Sequence, residues 1–113
     1  MIGYNKEEAL AMMKRRINRR LHPEIADLID DLLSQAIDAD LAFMVESGVL
    51  REDGSAGDEY YEEDDAFEYI VEALAAHNSF TPEQAVKAAS LVDDFMDLQA
   101  EYMEYAGLVQ DEE

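Results

Sequence analysis

The sequence predicts an all-α protein, an antiparallel array of four helices made of two tandem helical hairpins with a pseudo-twofold internal repeat. Three observations predict it. Apolar residues recur at three- and four-residue intervals along most of the chain. The two prolines, in "HPEIA" (22–26) and "TPEQA" (81–85), stand where helices begin, and Gly48 in "ESGVL" and Gly107 in "YAGLV" stand where helices end. Sliding the chain by 59 residues lays "HPEIADLIDDLLSQAIDADLAFMVESGVLRED" on "TPEQAVKAASLVDDFMDLQAEYMEYAGLVQDE" without a gap.

The first helix is expected over about residues 6–20, started by Asn5 with Glu8 in capping position. The second runs from Pro23 to Gly48, about 25 residues. A segment rich in glycine and acids, "REDGSAGDEYYEEDD", follows as a loop, with a short extended piece at Tyr60–Tyr61. The third helix is expected over about 62–78. The fourth runs from Pro82 to Gly107, with Thr81 and Gln84 forming a capping box. The 113 residues make one domain, with one hairpin over about 5–53 and the other over about 62–112.

Within the repeat, Pro23/Pro82, Glu24/Glu83, Ala26/Ala85, Leu32/Leu91, Asp38/Asp97, Met44/Met103 and Gly48/Gly107 are identical. Leu33/Val92, Ile37/Met96, Phe43/Tyr102, Val49/Leu108 and Leu50/Val109 are apolar in both halves. Duplication of an ancestral hairpin is the reading this favours.

At a helical period, each long helix divides into an acidic and an apolar face. On the second helix Glu24, Asp27, Asp31 and Asp38 share the wet face; on the fourth, Asp94, Asp97, Glu101 and Glu104 do. The fourth helix has an apolar arc wide enough to be either central in the bundle or part of a homodimer interface. Asp40 breaks the pattern by falling inside the apolar arc, and its repeat counterpart Gln99 falls in the corresponding place. A lone buried carboxylate is costly unless paired or protonated. The basic stretch "MKRRINRR" (13–20) offers a donor: Arg16 or Arg20 is expected to fold onto the second helix as a buried ion pair with Asp40, or else with Asp30.

Charge ranks the functions. Residues 1–20 carry a balance of +4, and the remaining chain carries −24, for a formal net charge of −20. Such a surface repels nucleic acid and anionic membrane and attracts basic proteins. Neither direct nucleic-acid binding nor membrane association is expected. The chain contains no cysteine, which suits a reducing cytoplasm, and neither a signal-peptide pattern nor a membrane-length apolar run.

No catalytic residue, metal site or cofactor is expected. "DEYYEEDD" (58–65) packs six carboxylates into eight residues but lacks the glycine and terminal glutamate of an EF-hand. The pairs Glu59/Glu62, Asp94/Asp97 and Glu101/Glu104 resemble those with which all-α nucleoside-triphosphate pyrophosphohydrolases hold magnesium. Here they fall on wet faces with no phosphate-binding cation beside them, so that enzyme is a minor alternative. His22 reads as a residue at a helix start and His77 as a core-facing or capping histidine. The function favoured is a non-enzymatic acidic module that binds a basic protein through the carboxylate stripes. The alternative is a DNA-mimic or immunity-type inhibitor of a nucleic-acid-binding protein or basic toxin.

Overall fold

The computed structural model describes residues 4–108, all-helical in its regular elements. The helices are α1 (Lys6–Arg16), α2 (Ile29–Ser47), α3 (Glu63–His77) and α4 (Pro82–Tyr105), with 3-10 turns at Arg19–Leu21 and Pro23–Leu28. Val109 and the expected end of the second hairpin near residue 112 lie outside the described residues.

The Asn5 side chain caps α1 by accepting the Glu8 N–H at 3.1 Å, and Lys14, Arg15 and Arg16 occupy the last turn, where the helix dipole favours cations. The helix stops four residues earlier than its periodicity suggests. Ile17 is extended, and the Asn18 side chain accepts the Arg20 N–H at 3.1 Å to open the first 3-10 turn. A continued helix would stack Arg15 on Arg19 and Arg16 on Arg20, like charges at i, i+4. Asn18 supplies the local alternative.

The two proline starts differ for a similar reason. At the start of α4, Thr81 Oγ1 accepts the Gln84 N–H at 3.1 Å while Gln84 Oε1 accepts the Thr81 N–H at 3.0 Å. This closes the capping box. His22 makes no such cap, and the third helical position after it is Ile25, which is buried instead. The segment after Pro23 therefore remains 3-10, with Ile25 out of helical geometry, and α2 begins only at Ile29.

The C-terminal ends of α2 and α4 share a left-handed glycine and two corresponding backbone bonds. Gly48 and Gly107 are both left-handed, at φ 85° and 73°, where a side chain would be strained. Val49 N–H reaches Met44 O and Leu108 N–H reaches Met103 O, each at 2.9 Å. Gly48 N–H reaches Val45 O at 3.3 Å and Gly107 N–H reaches Glu104 O at 3.1 Å.

Helix α2 packs on α1, α3 and α4, and α4 packs on α1, α3 and the Pro23–Leu28 turn. The largest fully buried side chains include Phe95, Met13, Ile29, Ile37, Met44 and Ile70. The wide apolar arc of α4 is largely covered within the chain: Leu91, Val92, Phe95, Leu98, Tyr102 and Met103 are buried, whereas Tyr105 is exposed. Among the described residues no helix is long and apolar enough to cross a membrane.

The linker between α2 and α3 folds back on the end of α2. Leu50 and Ala56 form a single antiparallel bridge, Gly57 N–H donates to Val49 O at 2.8 Å, and Glu59 N–H donates to Gly48 O at 3.2 Å. Gly57 is required by this approach, since a Cβ there would stand 2.2 Å from Gly48 O. Gly57→Ala is accordingly expected to destabilise the fold by about 1–3 kcal/mol. A urea midpoint equal to the parent's would contradict the close approach.

Candidate functional site

The acidic stripes are exposed apart from the half-buried Asp94, but several members are engaged within the chain. On the α2 side Glu24 faces Lys87 Nζ at 3.6 Å, and Asp38 Oδ1 accepts from Lys6 Nζ at 2.8 Å. On α4, Asp94 Oδ2 lies 2.7 Å from His22 Nε2, and Glu101 pairs with Arg16. Asp27, Asp31, Asp97 and Glu104 are exposed and in no ion pair among the described residues. The eight residues 58–65 are exposed apart from the half-buried Tyr61, and their carboxylates likewise enter no ion pair there. The Lys6–Asp38, Arg16–Glu101 and Lys87–Glu24 pairs are solvent-exposed in large part, so each stabilises the fold by at most about 1 kcal/mol.

The basic stretch is partly neutralised in place: Asp30, the second of the two acceptors expected, is used, but by Arg19 and not by Arg16 or Arg20. Arg16 reaches Glu101 on α4, and Arg19 reaches Asp30 Oδ1 at 2.8 Å. Arg20 is exposed and its guanidinium meets no carboxylate among the described residues. Neither Arg16 nor Arg20 touches Asp40. The early end of α1 takes Arg20 off the face that a helix continued to residue 20 would have presented.

Asp40 is instead held by neutral donors. It is fully buried, and its Oδ2 accepts from Tyr61 Oη at 2.6 Å and from Gln99 Nε2 at 2.8 Å. Tyr4 Oη donates in turn to Gln99 Oε1, and the Tyr4 ring meets Tyr102 edge-on at 4.9 Å. Tyr102 Oη continues the chain to Glu8 Oε1 at 3.0 Å. Asp40 Oδ1 is buried with no partner. Burial dominates the carboxyl's behaviour, raising its pKa to about 6 against the opposing effect of the bonds from Tyr61 and Gln99. The Tyr61 and Tyr4 hydroxyls are driven well above their ordinary range, by burial first and by the Asp40 charge second. Both remain donors at any ordinary pH.

Three participants escaped the sequence reading. Tyr61 belongs to an acidic loop without periodicity; the Phe43 ring packs edge-on against it at 6.4 Å. Tyr4 precedes the first helix. His22 does stand at a helix start, immediately before the 3-10 segment that opens at Pro23, but it is also buried, and its partner Asp94 looked like one more wet carboxylate. His77 differs in the opposite sense. It is exposed and lines a cleft of about 270 Å³ between α2 and α3, together with Gln35, Asp38, Ala39, Ala42, Tyr69 and Ala73.

Among the described residues no group of three or more histidines and carboxylates is placed to hold a metal ion. The fold and its polar centre define an all-helical acidic protein organised around a buried carboxylate–amide–tyrosine network. Comparison with protein-family models, with curated proteins and with solved structures finds no match for the chain.

Proposed function

We propose that the chain is a non-enzymatic acidic module that binds a basic protein surface. The observation that carries this reading is the imbalance of the surface. Several cations of the basic end, Lys6, Arg16 and Arg19, are drawn onto carboxylates of the chain itself. Asp27, Asp31, Asp97, Glu104 and the carboxylates of 58–65 stay exposed and unpaired among the described residues. With a net charge of −20, electrostatics would steer a basic partner in and make its capture salt-sensitive. A cysteine-free chain suits a reducing compartment, and a cytoplasmic location is part of the proposal. A homodimer through α4 is the less favoured alternative, because α1, α2 and α3 already pack on that helix.

We also infer that the architecture is two tandem antiparallel hairpins related by a pseudo-twofold axis. Support comes from recurrences at an offset of 59: the matching caps at Gly48 and Gly107, and the burial of both Leu32 and Leu91, Leu33 and Val92, and Met44 and Met103. The counterparts Asp40 and Gln99 are hydrogen-bonded to each other, as equivalent positions on such an axis would be.

The test uses purified basic proteins, some that bind nucleic acid and some that do not, in titrations at about 0.05 and 0.5 M salt. Binding is expected at low salt and largely lost at high salt. The variant D27N/D31N/D97N/E104Q should weaken it at least tenfold. Displacement of the bound protein by duplex DNA would select the sharper reading, mimicry. No binding to any basic protein, or binding unchanged in the quadruple variant, overturns the proposal.

A further inference from the structure

The acidic segment 58–62 enters the core through one side chain. Residues 58–60 are exposed, and Tyr61 turns inward to place its hydroxyl on Asp40. On its N-terminal side the segment is held by two backbone bonds, Gly57 N–H to Val49 O and Glu59 N–H to Gly48 O. Two backbone bonds and one inward side chain are few attachments for a segment whose residues 58–60 are exposed, and such a segment is a low-stability unit that opens without global unfolding. The acceptor at the other end is incomplete. Asp40 Oδ1 is buried without a donor, so an ionised Asp40 leaves charge in the core that two neutral donors on Oδ2 satisfy only in part.

We propose that Asp40 and Tyr61 form a proton-operated latch: with Asp40 protonated the segment stays docked on the bundle, and with Asp40 ionised it opens more readily, letting water reach the carboxylate. The latch concerns the position of the acidic segment and stands whatever that segment binds.

The groups around the carboxyl set the direction. From the N-terminal segment Tyr4 faces it, from the linker Tyr61, and from α4 Gln99; Tyr102 stands behind Tyr4, and Glu63 at the start of α3 acts on Tyr61. None is a cation that would favour the ionised form. The docked carboxyl therefore holds its proton to higher pH than the hydrated one, against an ordinary value of 3.8. By linkage, docking is favoured at low pH, weakens as pH rises through the interval between the two values, and levels off above about pH 6.

The test is amide hydrogen exchange at Gly57 and Glu59, expressed as protection factors between pH 5 and pH 7.5, where the chain keeps a net negative charge. Protection at these two amides is expected to fall about tenfold over that range. Asp40→Asn should show a flat profile. Tyr61→Phe, which keeps the ring and removes the donor, should lower protection at both ends of the range. In the parent protein, which needs no variant to fold, the Asp40 carboxyl carbon should titrate far above an ordinary aspartate. An ordinary Asp40 titration would overturn the latch, as would identical profiles in the parent and Asp40→Asn. So would Gly57 and Glu59 tracking the core amides of Leu33 and Phe95, which would mean that only global unfolding exposes them.

Discussion

Gln99→Glu is expected to destabilise the protein by about 3–5 kcal/mol at pH 7.5, the range for leaving a buried charge uncompensated. The substitution nearly preserves shape. It removes the Nε2 donor 2.8 Å from Asp40 Oδ2 and puts a second carboxylate oxygen in its place. Asp40 is already short of donors, with Oδ1 unpartnered, and Tyr61 is then the one hydroxyl left on Oδ2. Two carboxylates at that separation cannot both ionise, so the folded pair retains a proton that the unfolded chain gives up. A pKa raised by folding contributes stability below the unfolded value and loses it as pH rises. The deficit should therefore shrink from pH 7.5 toward pH 5. Urea denaturation at the two pH values checks both magnitude and sign. A variant as stable as the parent at pH 7.5 would show that position 99 does not meet Asp40.

Where the sequence was informative, single residues did the informing. Thr81, Pro82 and Gln84 prescribe the start of α4 and Gly107 its end, and Gly48 ends α2, because each supplies a hydrogen bond or a dihedral angle that a helix terminus needs. Nothing so local marks the end of α1. No proline or glycine lies between Lys14 and Arg20, and the stop comes from like charges one turn apart together with the Asn18 side chain. The 3-10 stretch after Pro23 was hidden for a related reason. Its proline promised a helix, but Ile25 is drawn into the core where a glutamine would have closed the cap.

The candidate site divides in the same way. Periodicity placed Asp27, Asp31, Asp97 and Glu104 on wet faces, and they are exposed. It also exposed the anomaly of Asp40, and the fold buries that residue completely. The partner was beyond its reach, because helical phase relates residues within one element and says nothing of a tyrosine in an aperiodic loop. One signal did exist: Gln99 lies at the sequence offset of 59 from Asp40, and an amide and a carboxylate are of complementary hydrogen-bonding character.

Phe95→Ala is expected to lower stability by about 3–5 kcal/mol without changing the helical content of what remains folded. Phe95 heads the large side chains that are fully buried, and it sits on the face of α4 that also presents Leu91, Val92 and Leu98 to the core. Ala36, 59 residues earlier in the sequence, is buried too but is small, so the bulk at this point of the core comes from Phe95. Rigid helices on both sides limit how far the space can collapse, and the loss therefore includes a cavity contribution beyond the transfer of the ring from water. The pH profile separates this variant from Gln99→Glu. Emptying an apolar site removes no titratable group, so the deficit should be nearly the same at pH 5 and pH 7.5, whereas that of the glutamate variant shrinks. Equal pH dependence in both would mean that the carboxylate network and the apolar core fail together through a common opening. The Asp40 centre would then not be an independent source of strain.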